Sequence, residues 1–342
     1  MAPLPKTPQT KNPQSKSNQQ TMEEDWQSAP ATPAIPTIIS ARDGHVVAGS
    51  WKPGQIKLHG WLADAKKSIV CAGVYDGLTA RVAVAQGFDS LYLCTAAINM
   101  ARSGVLGPAL SHEFVMDLVL TIQQIDGDVP LIVEVDKTMH IEALRAALVR
   151  FHRAGIAAVQ IEDEVPRRCS REINDGGAAS RANEAAFLGC IRAAVDERSR
   201  INSNIVIIAR SNMRRACNCS QCSPRAVKLL QQARKAGADA VYLARDRDLD
   251  AREIETLTRE TFKGIAYMRS VYGSTTERMR RLGVKIISYP ELFTNALYSG
   301  VSPAVQGFGE KGEVGPWTKV PKPENSEDLG GLRDLAMPAR KH

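Results

Sequence analysis

Short apolar runs alternate with helical segments along most of this chain, and that alternation limits the fold more than any other feature. The runs are Ser68–Gly73, Ser90–Thr95, Pro130–Val135, Ala157–Ile161, Ile205–Ala209, Ala240–Leu243, Gly264–Met268 and Lys285–Tyr289. Each is nearly continuous in β-branched and aliphatic residues, as expected of strands covered on both faces. Between them lie segments with helical periodicity, among them Ile141–Ala154, Glu184–Arg198, Pro224–Ala236, Ala251–Phe262 and Thr275–Leu282. Several end at a glycine, Gly155, Gly237, Gly264 or Gly283, which predicts a left-handed helix exit before the next strand. The exit repeats as Ala154-Gly155-Ile156-Ala157-Ala158-Val159 and Ala236-Gly237-Ala238-Asp239-Ala240-Val241. Strand–helix units of this kind build parallel sheets, and eight of them close a (β/α)8 TIM barrel. A doubly wound open sheet is the competing α/β arrangement, but it commonly has fewer strands.

The flanks differ from this body. Residues 1–44 are rich in Pro, Gln, Lys, Ser and Thr, and read as a disordered N-terminal extension. Residues 309–342 read as a flexible tail, which leaves 45–308 as the barrel. The apolar runs are far shorter than the ~20 residues a membrane helix needs, and the N-terminus has no secretory pattern. Seven cysteines, without such a signal, predict reduced thiols and a cytoplasmic protein. The net charge of +7 raises nucleic acid as a partner. Aromatics at 5% and the lack of a long basic run point instead to a small anionic or carboxylate substrate.

In a barrel, chemistry sits where strands end at their C-terminal side. The residues there are Tyr75-Asp76, Cys94-Thr95-Ala96-Ala97, Glu134-Val135-Asp136, Glu162-Asp163-Glu164, Arg210-Ser211-Asn212 and Ala244-Arg245. Glu134 and Asp136 are two apart on an extended segment, so both face one way. Glu162 arrives from the next strand. Carboxylates in such a place are solvated, paired or bound to a metal, and hard oxygen donors suit Mg²⁺. Arg210 can grip a carboxylate or stabilise an enolate oxygen; a structural ion pair with Glu162 is the alternative. The loop Pro166-Arg167-Arg168-Cys169-Ser170-Arg171 places cations beside a thiol, which lowers its pKa and fits an acid/base or nucleophile as well as an inert cysteine. Cys217, Cys219 and Cys222 give three thiols in six residues, one ligand short of a structural zinc site, or a Cys-rich insertion. His140 is a further acid/base or ligand candidate, or a surface residue opening a helix.

Several motifs then carry a family resemblance. Gly73-Val74-Tyr75-Asp76-Gly77-Leu78-Thr79-Ala80-Arg81 resembles the G-x-Y-D-x-L-[ST]-A-R opening of the phosphoenolpyruvate mutase/isocitrate lyase superfamily. Gly87-Phe88-Asp89-Ser90-Leu91-Tyr92, Val159-Gln160-Ile161-Glu162-Asp163, Ile207-Ile208-Ala209-Arg210 and Tyr289-Pro290 are similar to its later motifs, in order, across about 65–300. The resemblance implies a Mg²⁺-dependent barrel, with Mn²⁺ as the substitute ion, in a homotetramer. It implies breaking or forming a C–C or P–C bond next to a 2-oxo or 2-hydroxy carboxylate through an enolate-like intermediate. It places metal ligation on Glu134, Asp136 and Glu162, enolate stabilisation on Arg210 with Tyr75, and proton transfer on Cys169. Cys94, Thr95 and Ala96, with Arg168 and Arg210, fall on the substrate-holding positions.

The departures lie in the same places. Glu134 replaces an Asp, and Thr138 and His140 replace glycines. Ser170 and Arg171 replace the Gly and His after the loop cysteine. Cys94-Thr95-Ala96-Ala97 replaces a Ser-Gly-Gly turn, and Ala244 stands where the family has a Glu. These changes imply altered specificity for a lyase or hydrolase, as in a specialised pathway. A catalytically silent barrel used for binding or assembly is the second reading, and phosphonomutase-type chemistry, against which Cys169 argues, the third.

Overall fold

A computed structural model describes residues 51–105, 110–135, 140–163, 178–213, 222–244, 267–269 and 275–311. Eight strands form one parallel sheet: β1 (Ile69–Val74), β2 (Ser90–Leu93), β3 (Leu131–Glu134), β4 (Ala158–Glu162), β5 (Val206–Ser211), β6 (Ala240–Leu243), β7 (Tyr267–Arg269) and β8 (Ile286–Tyr289). The order is β6-β5-β4-β3-β2-β1-β8-β7, so the first strand pairs with both the second and the last. The end strands of that order, β6 and β7, also approach within 8 Å between Cα atoms. All the expected apolar runs are strands. Gly264–Ala266 of the seventh run lie outside the described residues, as does the expected helix Ala251–Phe262.

The described helices are α1 (Pro53–Ala63), α2 (Gly77–Ala85), α3 (Thr95–Ser103), α4 (His112–Gln123), α5 (Ile141–Ala154), α6 (Ala178–Arg200), α7 (Cys222–Lys235), α8 (Thr276–Arg281) and α9 (Leu292–Lys311). Gly155, Gly237 and Gly283 have φ of 85°, 102° and 78°, the left-handed exits that the repeats predict. Strand residues such as Ile69, Leu91, Ile132, Val159, Ile207 and Ile287 are shut from solvent, as are Leu144, Leu148 and Leu230 of the helices laid over them. Each such aliphatic contributes ~1.5–3 kcal/mol by leaving water.

Three boundaries differ from expectation, the first two in ways that shape the site. β2 stops at Leu93, because Cys94 is the extended N-cap of α3 and Thr95 is its first residue. β5 runs on through Arg210 and Ser211, whose backbones pair with Tyr242 and Leu243 of β6. Helix α9 continues through Phe308 to Lys311, past the expected end of the body, with Pro303 inside it.

Candidate active site

The ladder register assembles the site. Glu162 of β4 is in register with Arg210 of β5, and Arg210 with Tyr242 of β6. Residues level with one another in a parallel ladder face the same side, so the three form one row. Glu134 ends β3 opposite Gln160, two residues before Glu162 and on the same face.

Arg210 Nη1 lies 2.6 Å from Glu162 Oε1 and 3.1 Å from Glu134 Oε1. Its guanidinium sits 5.1 Å over the Tyr242 ring, and its Nε donates to Asn212 Oδ1 at 3.0 Å. Asn212 Nδ2 then donates to Glu162 Oε2 at 2.8 Å. Gln160 Nε2 donates to the Tyr92 hydroxyl at 2.9 Å and reaches Glu162 Oε1 at 3.3 Å. Glu134 Oε2 accepts the Thr95 N–H at 2.7 Å. The ion pair of Arg210 with Glu162, the alternative reading of that arginine, is therefore present, and a second one with Glu134 accompanies it.

The charges do not balance. Two buried carboxylates face one guanidinium. Burial and the adjacent Glu162 carboxylate push Glu134 up to about 8, against the opposing pull of Arg210 and the Thr95 amide. Arg210 is held well above its ordinary value by Glu162 and Glu134, in spite of its burial. Below this row, Asp163 accepts the Asn212 N–H at 2.6 Å and the Ser211 hydroxyl. Burial pushes it up to about 7, and it serves to fix the β4–β5 strand ends.

The other expected site residues take different places. Tyr75 is buried at the end of β1, its N–H donating to Thr79 Oγ1 at 3.1 Å, its phenol pushed up by burial. Its neighbour Asp76 caps α2, accepting the Thr79 N–H and hydroxyl, both at 2.8 Å. Cys94 is buried within the field of Glu134 and Arg210. Desolvation and Glu134 push its thiol up to about 12, although the Ala96 and Ala97 amides pull the other way. Cys94 is thus a neutral thiol at ordinary pH. Thr95 contributes its N–H, and Ala96 follows it in the first turn of α3. Asp136, Arg168, Cys169, Cys217 and Cys219 lie outside the described residues; Cys222 opens α7 and His140 is the N-cap of α5.

Sequence reasoning gave no individual role to Gln160, Tyr92, Asn212 or Tyr242, although it counted Asn212 among the strand-end residues. A period-two reading would have found two of them, since Gln160 and Asn212 stand two residues from Glu162 and Arg210 on the same strand faces. Tyr92 and Tyr242 needed the register between strands.

Among the described residues no group of three or more His, Cys, Asp or Glu side chains is placed to hold a metal ion. The donor chemistry nonetheless suits one. Glu134 and Glu162 are hard oxygen donors on adjacent strand ends, and a divalent cation could take the place of the proton that the raised Glu134 carboxyl keeps.

A sequence profile of the phosphoenolpyruvate phosphomutase family matches residues 58–308. The chain belongs to this family. The match spans every strand and, in full, every described helix but α1 and α9, which it covers in part, and takes in the whole Glu134–Arg210–Glu162 constellation. Among the relatives of this family member is 2,3-dimethylmalate lyase of Eubacterium barkeri, 25% identical over 285 residues, covering 81% of this chain and 88% of the relative. The solved 2,3-dimethylmalate lyase structure in its triclinic crystal form, described as a superfamily member of PEP mutase and isocitrate lyase, matches at TM-score 0.69. That match has 23% identity and covers 84% of this chain and 96% of that one. Phosphonopyruvate hydrolase, solved with oxalate and Mg²⁺, matches at TM-score 0.66 and 19% identity, covering 84% and 99%. The two structural likenesses establish the fold: an α/β chain with a parallel sheet of the superfamily's barrel type. The family places this chain among the lyases and mutases of the superfamily.

Proposed function

We propose that the protein is a Mg²⁺-dependent carbon–carbon lyase or hydrolase acting next to a 2-oxo or 2-hydroxy carboxylate, through an enolate-like intermediate. The carrying observation is the row of Glu162 and Arg210 with Glu134 beside it, in which two buried carboxylates share one guanidinium. The sheet closes as a (β/α)8 barrel on this reading, supported by the approach of β6 to β7. Glu134, Asp136 and Glu162 hold the cation, which Mn²⁺ can replace. When bound, it polarises the substrate carbonyl and offsets the charge that develops on the enolate oxygen.

The chain's own residues do the rest. Arg210 is held rigid by Tyr242, Asn212 and the carboxylates, so it offers a fixed positive charge to the developing oxyanion without reorganising. Tyr75 follows the end of β1 and positions the same oxygen. The first turn of α3, at Cys94, Thr95 and Ala96, offers backbone N–H groups to a substrate carboxylate, with Arg168 from the loop. Cys169 moves the proton. Cys94, neutral and buried, shapes the pocket. The replaced substrate-holding residues support altered specificity and a role in a specialised pathway. The protein is cytoplasmic on this reading and takes a small acid rather than nucleic acid or membrane. It assembles as a homotetramer, in support of which α9 exposes Leu297, Tyr298, Val301, Val305 and Phe308.

Isothermal calorimetry with Mg²⁺, alone and with oxalate, tests the reading on the wild type and Asp136→Ala. Oxalate binding that requires Mg²⁺ and is lost in Asp136→Ala is expected. A wild type that binds no Mg²⁺ would sink the metal-assisted mechanism. It would leave the second reading, a catalytically silent barrel, which one observation favours: Glu134 already takes up both Arg210 and the Thr95 amide.

A further inference from the structure

Helix α1 lies across the ends of the strands opposite the candidate site. Just before it, Trp51 Nε1 donates to the Asn202 carbonyl at 3.0 Å, and within it Gln55 Nε2 donates to the Ile156 carbonyl at 3.0 Å. Gly54 packs so closely here that an added Cβ would lie 3.1 Å from the Gly127 carbonyl oxygen and 3.4 Å from Pro130 Cα. Lys285 Nζ, itself buried, donates to the Asp64 carbonyl just past the helix. Asn202, Ile156, Pro130 and Lys285 precede β5, β4, β3 and β8 in turn. Leu58 of the helix is shut from solvent.

Two histidines belong to this contact. His59 of α1 is hydrogen-bonded to the Asn204 backbone, ahead of β5. Its Nε2 is buried and has no partner among the described residues, so a proton placed there would meet no acceptor. The charges that face the ring are Asp239 and Arg198. These two are ion-paired with each other, and Asp239 also accepts the Ile207 N–H at 2.8 Å, so the carboxylate is already engaged. Burial holds the His59 imidazole below its ordinary value, although Asp239 pulls the other way. His152, in the last turn of α5, has its Nδ1 buried and likewise without a partner among the described residues. It faces two cations, Arg153 of its own helix and Lys52 at the start of α1. The Lys52 stem runs so close to Gly155, the α5 C-cap, that a Cβ there would lie 3.0 Å from Lys52 Cγ. A helix C-terminus favours a cation; burial, Arg153 and Lys52 oppose it and hold this imidazole low as well.

We propose that α1 is an acid-released strap, docked while His59 and His152 are neutral and let go when they take up protons. Undocking carries His59 out to water and takes Lys52 away from His152, so both imidazoles return toward 6.5. The undocked state then binds more protons below that value, and docking weakens as pH falls through it. Each histidine changes the equilibrium by up to about tenfold per pH unit. The raised carboxyls of Glu134 and Asp163 act on the whole fold with the opposite sign, so the strap has to be read locally. At 11 residues α1 is marginal as a helix on its own, and its amides exchange once it undocks.

The test is hydrogen exchange of the full-length protein, followed by mass spectrometry at pH 7.5, 6.5 and 5.5 and corrected for intrinsic exchange rates. Protection of residues 51–63 is expected to fall about tenfold between pH 6.5 and 5.5, while β4 and β5 keep theirs. His59→Gln with His152→Gln, which cannot titrate, should hold that protection level with pH, whatever its absolute value. Lys52→Met, at an exposed position, should leave a smaller fall, and it decides the matter if the double variant does not fold. The proposal is overturned if wild-type protection of 51–63 does not fall on acidification, or if the fall survives the histidine double variant. It is equally overturned if Lys52→Met leaves the fall unchanged, or if β4 and β5 lose protection in step with the strap.

Discussion

Glu134 is a carboxylate with another carboxylate at its side, and this has a consequence for stability. Its native pKa is raised from 4.5 to about 8, so the folded protein keeps a proton that the unfolded chain releases. Between those two values the native state holds more protons. Stability therefore falls as pH rises through that window, and below about 4.5 the group has no effect. Asp163, raised from 3.8 to about 7, has the same sign over a lower window. In chelator, the urea midpoint should be higher at pH 5.5 than at pH 8. Glu134→Gln should flatten the slope, because the amide does not titrate, and Mg²⁺ should flatten it by replacing the proton. A wild-type midpoint that is level across this range would remove the carboxylate pair as a source of unbalanced charge.

At the scale of elements, the family motifs turn out to be joints. Gly73 of β1 stands against Pro290, just after β8: a Cβ built on it would lie 2.2 Å from the Pro290 carbonyl oxygen. The opening and closing motifs thus meet where the last strand joins the first. Gly73→Ala should force β1 and β8 apart and lower stability by ~1–3 kcal/mol, read as a lower denaturant midpoint at unchanged slope. An unchanged midpoint would mean that the joint is looser than drawn. The strands were legible because fully covered strands are written as unbroken apolar runs. Their ends were less so. Arg210 reads as a residue that follows a strand, yet its backbone is laddered to Tyr242; a charged side chain says nothing about the hydrogen bonds of its own main chain. Thr95 reads as strand by β-propensity and is the first helical residue, because the N-cap geometry at Cys94 overrides that propensity. The site was half legible for a related reason. Glu134, Glu162 and Arg210 announce themselves by charge, whereas Gln160 and Tyr242 matter only through pairing with a neighbouring strand.

At the scale of the molecule, α9 is the element most at odds with burial. Gly300 and Pro303 disguise it in the sequence, and its Leu297, Tyr298, Val301, Val305 and Phe308 are exposed. Apolar side chains gathered on one helix are normally covered. If the protein is the homotetramer proposed above, Tyr298→Lys with Val301→Lys should lower the mass seen by multi-angle light scattering to that of a smaller assembly. A double variant that keeps the wild-type mass would place the subunit contacts elsewhere.

The row of Glu162, Arg210 and Tyr242 across three strands has one more consequence. Side chains alternate across a sheet, so a slip of β5 by a single residue would turn Arg210 toward the helices and bring Ala209 or Ser211 into its place. No partly correct pairing of these strands can assemble the charge cluster. On the function proposed above, ligand binding at this cluster would report strand register: a molecule that binds has its central strands aligned to the residue.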